Sequence, residues 1–547
     1  MLKIMDKASP SLANVGSKIR AMSAGLVLAV TCGVSQVALA DSSAAATACD
    51  PYKDYSCLDK NMGTGFWERV GNYYSLEWGQ AAAPADPKAP ATRRDDYPPQ
   101  AVTIPPMPFS EWPYGGTPAL GASIPNAADS PLMVGLADTS FGKWMANNNI
   151  QTYGWADVGY NVSTSTVRGG NAPAAYDYNP NAFDLNQIVE YLERVPDMVQ
   201  KDHNDWGFRL SLIYGSDYRY TTSYGLASSQ LLTQNLDNGW DMPMIYYDWY
   251  TPFVGKGLNI RVGRYISVPD IEAQLAPNNY MYSHSMTYTF DNYTNEGILA
   301  SLAVSKNWIL QAGVALGTDT TFTHYNKSIG NPSPNALYPN STAPIDPGAK
   351  PAGTLCARYN SDDGGDDVNI CANGINDGTW GYNNLQWYGL TAYHKFNDKW
   401  HLSWELYNEH QNGVPNSQNL PSWTPMSVLT YNAPNFANCG NTTALTCKAE
   451  ATGTTAYLNY SPNPLDNFSI RPEIYYDPQG QRTGTATTYR NLAFGWQHWY
   501  SPQVEIRPEI AYYHADAPAF NGNVNTGNTS NMKAEQTIIS GDIIWHW

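Results

Sequence analysis

A side-chain alternation of period two recurs from about residue 148 to the end of this chain, and it limits the fold more than any other feature. Over Trp206–Tyr214, one face carries Trp206, Phe208, Leu210, Leu212 and Tyr214, and the other carries Gly207, Arg209 and Ser211. Trp308–Leu316 sets Trp308, Leu310, Ala312, Val314 and Leu316 against Gln311, Gly313 and Ala315. Trp400–Tyr407 sets Trp400, Leu402, Trp404 and Leu406 against His401, Ser403, Glu405 and Tyr407. Neighbouring side chains of a strand point to opposite faces, so each set lies on one side of a sheet. No segment after residue 40 has the run of roughly 20 apolar residues that a membrane-crossing helix needs. A sheet in lipid must close on itself, because hydrocarbon leaves the polar groups of an open edge unsatisfied.

The predicted fold is therefore all-β: a transmembrane antiparallel up-and-down β-barrel. About fifteen alternating stretches, under the even-number rule for such barrels, predict 14–16 strands. Composition agrees. Charged residues make up 14% of the chain, against about 25% in ordinary soluble proteins, yet mean hydropathy is -0.43. Polar uncharged residues and 39 tyrosines fill the gap, as strands with one wet face and long polar loops require. The net charge of -17 argues against nucleic acid as a partner, since phosphate contacts need Lys and Arg. It serves solubility, or it sets a negative potential at a mouth that favours cations.

Residues 1–40 read as a signal peptide. Lys3, Lys7, Lys18 and Arg20 supply a positive start, Ala21–Val34 is mostly apolar, and Ala38-Leu39-Ala40 is a small-x-small cleavage site. Residues 41–147 form an N-terminal extension with one cysteine pair. Its segment 84–118 holds ten prolines and no period, so it cannot be a barrel strand. Residues 148–547 are the barrel. Six cysteines remain after residue 40, in three near pairs: Cys49 with Cys57, Cys356 with Cys371, and Cys439 with Cys447. That pattern predicts disulfides in an oxidising compartment. The second and third pairs fall in irregular stretches, 317–382 and 411–452, and are expected to pin surface loops. Residues 184–195 fit a helix or a strand.

A weak repeat joins Phe468–Tyr476 to Val504–Ile510; both contain Ile-Arg-Pro-Glu-Ile, with Arg471, Glu473, Arg507 and Glu509 on one face. Pro472 and Pro508 each remove a ladder donor, which predicts a bulge or local irregularity. At the C-terminus, Ile539, Ile543, Trp545 and Trp547 share a face opposite Asp542 and His546, as an aromatic girdle would have it.

Arg261-Val262-Gly263-Arg264-Tyr265 followed by Asn278-Asn279-Tyr280-Met281-Tyr282-Ser283 resembles the OmpL-like β-barrel porins of Gram-negative bacteria. Trp206-Gly207-Phe208-Arg209 through Tyr214-Gly215-Ser216-Asp217 is similar to a second landmark of that family. Gly480-Gln481-Arg482-Thr483-Gly484 and Arg507-Pro508-Glu509 are similar to its C-terminal part. The resemblance spans about residues 148–547. It implies an outer-membrane barrel with a porin-like role, and it turns 184–195 toward strand. The Pro-rich segment and the cysteine pairs lie outside the family pattern.

No nucleophile elbow, zinc-protease helix, phosphate loop or dinucleotide fingerprint occurs, and neither an enzyme nor a cofactor is expected. Ser283-His284-Ser285 on a strand would point to alternate faces, so His284 could orient neither serine. Asp362-Asp363-Gly364-Gly365-Asp366-Asp367 lacks the spacing of a calcium loop, and no metal site is expected. The lumen candidates are the polar-face charges Arg209, Arg261, Glu405, Arg471, Glu473, Arg507, Glu509 and Asp542, which either pair across strands or set pore selectivity. Asp270-Ile271-Glu272 through Pro277 is expected to form an ordinary outer loop. The alternative is an inward fold in which Asp270 and Glu272 narrow the pore. The expected function is passive diffusion of small polar solutes. The rival reading is an adhesin or sugar-binding barrel acting through Trp380, Tyr382, Trp423 and Tyr431 on long loops. Expected partners are outer-membrane lipid, the barrel-insertion machinery and small solutes, with a homo-oligomer allowed.

Overall fold

The computed structural model describes residues 62–77, 130–232, 234, 236–267, 270–323, 349–381, 384–419, 436–463, 465–501, 503–522 and 531–547. The expected signal peptide and the Pro-rich segment 84–118 lie outside them. Sixteen strands form one closed antiparallel barrel in which each pairs with its neighbours in sequence. They are β1 (Ile150–Ser163), β2 (Phe183–Arg194), β3 (Asp205–Gly215), β4 (Gly239–Thr251), β5 (Leu258–Ile266), β6 (Thr294–Ala303), β7 (Trp308–Thr318) and β8 (Ala352–Asn360). The rest are β9 (Asp366–Ile375), β10 (Gln386–Asn397), β11 (Trp400–Pro415), β12 (Thr446–Asn463), β13 (Asp466–Asp477), β14 (Thr487–Ser501), β15 (Val504–Ala515) and β16 (Glu535–His546). The ring closes where β1 pairs with β16, with Trp155 opposite His546. The ambiguous segment 184–195 is β2.

The alternation sorts the two faces. Leu212, Val262, Leu310, Leu355, Ile474 and Ile543 point outward and are exposed, while Arg209, Arg261, Cys356, Glu473 and Asp542 point inward. Exposed apolar side chains over the whole outer surface are what lipid contact requires and what water would penalise. Connections such as 252–257, 304–307 and 398–399 lie at one end, and the longer 164–182, 216–238 and 267–293 lie at the other. Short turns face the periplasm and long loops the exterior in barrels of this kind. The short-turn end carries outward Trp206, Trp249, Trp308, Trp400, Tyr500 and Trp545, a ring of amphipathic aromatics at one membrane interface.

Several expectations need correction. The stretch 317–382 is not one long loop, because β8 and β9 lie within it. Cys356 and Cys371 are directly opposite each other on these strands and form a disulfide, so this bridge staples the wall rather than a surface loop. The Cys439–Cys447 disulfide does close a loop segment, at the start of β12. Of the three disulfides expected, these two are the ones found among the described residues. The third differs: the expected bridge from Cys49 to Cys57 is not among them, because Cys49 and Cys57 both lie outside the described residues. At the prolines the expected local irregularity is present, and it is a gap in the ladder instead of a bulge. Pairing of β12 with β13 skips the two positions around Pro472 and resumes in the same register. Pairing of β14 with β15 does the same around Pro508. Each proline withholds a hydrogen only toward one neighbour, and its other side stays paired, Pro472 with Leu492 and Pro508 with Gly541.

Among the described residues three short helices precede the barrel's strands or lead into them: α1 (Phe66–Glu77), α2 (Pro131–Leu136) and α3 (Ser140–Asn147). Ser130 caps α2 by accepting from the Met133 amide, and its hydroxyl donates to the Thr152 carbonyl of β1. The Tyr74 hydroxyl of α1 donates to the His546 carbonyl at 2.8 Å, beside the β1–β16 closure. Among the described residues no helix is long and apolar enough to cross a membrane.

Candidate functional site: a segment inserted into the barrel

Between β5 and β6 the chain turns into the barrel, and Asp270–Thr294 is buried throughout. The expectation of an ordinary outer loop is thus overturned in favour of the inward alternative. The sequence shows why in hindsight. Ile271, Leu275, Tyr280, Met281, Met286 and Phe290 are apolar side chains without a periodic surface, and they bury against inward aromatics such as Trp387, Tyr407, Tyr457 and Tyr475. The helix α5 (Met286–Phe290) ends the segment; the helix α4 (Ser229–Leu232) lies earlier, in the β3–β4 connection.

Buried backbone polar groups need partners, and the charged inner wall supplies them. Arg507 of β15 donates to the carbonyls of Ala276 at 2.6 Å and Asn279 at 3.0 Å, and its other arm pairs with Asp542. Arg471 of β13 donates to the Ser283 carbonyl at 2.6 Å and hydroxyl at 2.8 Å, and lies 3.5 Å from Glu272 and 3.6 Å from Glu509. The Ser283 amide donates to Glu509 at 2.9 Å, the Thr287 amide to Glu473 at 2.7 Å, and the Ile271 amide to Glu405 at 3.1 Å. Glu272 accepts from the Ser285 amide and from the Tyr457 hydroxyl. On the far side, Gln187 of β2 donates to the Gln274 carbonyl and accepts from the Ala276 amide. The segment thus spans from β2 to the β11–β15 wall. Room for it comes partly from Gly495 of β14, where a Cβ would lie 2.8 Å from Met281.

Of the eight charges expected on the inner wall, all face inward. Six meet the segment or a partner that does: Glu405, Arg471, Glu473, Arg507, Glu509 and Asp542. Arg209 and Arg261 do not. Arg209 pairs with Glu193 at 2.5 Å, and Arg261 makes a two-pronged pair with Asp248 at 2.9 Å while lying 3.9 Å over the Tyr246 ring. Asp270 and Glu272 both enter the barrel. Burial pushes the Asp270 carboxyl up to about 7, and burial followed by the charge of Asp270 raises that of Asp291.

Three contributors escape sequence reading. Arg264 sits three residues after Arg261, yet it too is buried, because it donates to the Thr221 carbonyl at 2.7 Å and the Ser223 hydroxyl at 2.9 Å of the β3–β4 connection. Arg264 pairs with Asp241 at 2.9 Å. Arg482, from the β13–β14 connection, donates to the Phe290 carbonyl at 2.9 Å and pairs with Glu409 at 3.1 Å. Tyr176 stacks on Tyr220 and on His284, with centroids 4.1 and 3.6 Å apart, and covers the segment from the long-loop end. Ser283-His284-Ser285 lies in the inserted segment and not on a strand. The two serines bond Glu509 and Glu272, and His284 Nε2 bonds the Ala273 carbonyl. Trp380 is buried with Val414, Ala437 and Ala449, so it offers no ring to an external ligand. Tyr382, Trp423 and Tyr431 lie outside the described residues.

A family model described as "Putative beta-barrel porin-2, OmpL-like" matches residues 149–546. The chain belongs to this porin family. Among solved structures, this porin-family barrel is similar to an anion-selective porin from Comamonas acidovorans, at 10% identity and TM-score 0.43, covering 73% of this chain and 99% of that one. It is also similar to the outer membrane channel DcaP of Acinetobacter baumannii, at 9% identity and TM-score 0.43, covering 73% and 97%. OmpT of Vibrio cholerae matches at 8% identity and TM-score 0.38, covering 73% and 97%. No curated protein matches the chain.

Proposed function

We propose that this porin-family barrel is a passive diffusion channel for small polar solutes in the outer membrane of a Gram-negative bacterium, with its bore set by the inserted segment. The observation that carries this reading is the route of residues 270–293. They leave the long-loop end, enter a closed barrel, and fasten to charges on the β11–β15 wall and to the Gln187 amide of β2 opposite. A barrel of this size is too wide for its own side chains to fill. A segment tied across it sets what can pass, and the Arg and Glu side chains around that segment set the local field. Arg209, Arg261, Glu405, Arg471, Glu473, Arg507, Glu509 and Asp542 are the proposed lining, with Asp270 and Glu272 at the constriction. In this reading residues 41–147 are an extension that precedes the conducting unit. Lipid, the insertion machinery and further copies of the chain are its macromolecular partners.

The test is planar-bilayer recording of refolded protein beside a variant in which 271–290 is replaced by a short Gly-Ser linker. The expected result is small, defined steps from the natural chain and several-fold larger ones from the variant. Equal conductance in both, or no steps from either, would overturn the reading.

A further inference from the structure

Asp270 and Asp291 stand at the two ends of the inserted segment, and both meet Glu405 on β11. One carboxylate oxygen from each lies within 4.8 Å of the other two. The three residues are 4%, 2% and 0% exposed. The other buried acids that meet the segment are compensated: Glu272 and Glu509 by Arg471, Asp542 by Arg507, and Glu473 by two donors on Thr287. Here, among the described residues, no Lys or Arg pairs with any of the three. The nearby Arg482 is engaged by Glu409 and the Phe290 carbonyl. Asp270 Oδ1, Asp291 Oδ1 and Glu405 Oε1 are also buried without a hydrogen-bond partner. Converging buried carboxylates repel and lose hydration, so the arrangement calls for a positive charge among them.

We propose that Asp270, Asp291 and Glu405 bind a divalent, oxygen-seeking cation, with calcium the best fit, which fastens both ends of the inserted segment to the barrel wall. The donors are all hard carboxylate oxygens, without the imidazole or thiolate that zinc and copper favour. Calcium–oxygen bonds run about 2.3–2.6 Å, so oxygens within 4.8 Å of one another can surround one ion. Calcium also tolerates the irregular geometry that two chain ends and one strand provide, and water or backbone carbonyls complete its shell. The ligands come from positions 270, 291 and 405, far apart in sequence, which is why no loop motif announces them.

The experiment is calcium titration of the refolded full-length barrel after chelator treatment, by calorimetry and by displacement of luminescent terbium. Folding is read independently from heat-modifiable gel migration. The natural chain is expected to bind one calcium that Glu405→Gln and Asp291→Asn each weaken roughly tenfold or more. Asp363→Asn, in the exposed acidic turn between β8 and β9, is expected to leave binding unchanged. Failure of the folded natural chain to bind calcium would overturn the proposal, even if both site variants failed to fold. So would binding that survives Glu405→Gln and disappears in Asp363→Asn. The readout is binding and not conductance, so this result stands apart from the channel assignment.

Discussion

The β2–β5 wall and the β11–β16 wall present the same residue types to the barrel interior and use them differently. On the first, Glu193 lies directly opposite Arg209 and Asp248 directly opposite Arg261. Those charges satisfy each other within the sheet and leave the inserted segment alone. On the second, Glu405 faces Thr391 and Thr455, Glu473 faces Thr455 and Asn491, and Glu509 faces Gly495 and Ser540. Arg471 faces Ala493 on β14. Without an opposite charge beside them, these groups reach inward, and the backbone of the segment takes them up. Arg507 combines the two habits, pairing across strands with Asp542 while donating to two segment carbonyls. Register, more than residue type, separates wall braces from segment holders.

The most severe challenge to that division is Arg471→Ala. It removes two bonds to Ser283 and strands Glu272 and Glu509, and breaking a buried pair of this kind costs about 3–5 kcal/mol. Urea unfolding in detergent should fall by that amount, and bilayer conductance should rise as the segment loosens. Next comes Arg261→Ala, which removes the two-pronged pair with Asp248. A loss of about 3 kcal/mol is expected, with a smaller change in single-channel conductance than Arg471→Ala gives. An equal rise in conductance from both variants would dissolve the distinction between the walls. The finest probe is Thr287→Val, which removes one hydroxyl bond to Glu473 and keeps the amide bond beside it. It should cost about 1.5 kcal/mol and change conductance less than Arg471→Ala does.

Much of the barrel was legible because lipid on one side and polar contents on the other impose a clean alternation. Trp206–Tyr214 and Trp400–Tyr407 show it plainly. β8 and β9 escaped because their outward positions include Gly353, Ala357 and Ala372, side chains too small to contrast with the inner face. The inner-wall charges could be listed from periodicity. Their roles could not, because a role depends on which residue a neighbouring strand places opposite. The inserted segment was harder still. Its charged wall partners lie more than a hundred residues away in sequence, as with Ile271 and Glu405 or Ser283 and Glu509. Local pattern carries no trace of such contacts. Alternation does not announce Arg264 either, because its partners Thr221 and Ser223 belong to the β3–β4 connection.

The pairing of β1 with β16 fixes the order in which the cylinder can be completed. Every other seam joins neighbours in sequence and can zip as soon as a hairpin exists. The last seam joins Trp155 to His546 and must wait for almost the whole polypeptide to be in place. Until then two raw edges stay open, the arrangement most prone to wrong partners. The Tyr74 hydroxyl, hydrogen-bonded to His546 beside that junction, acts as a latch on the final stitch.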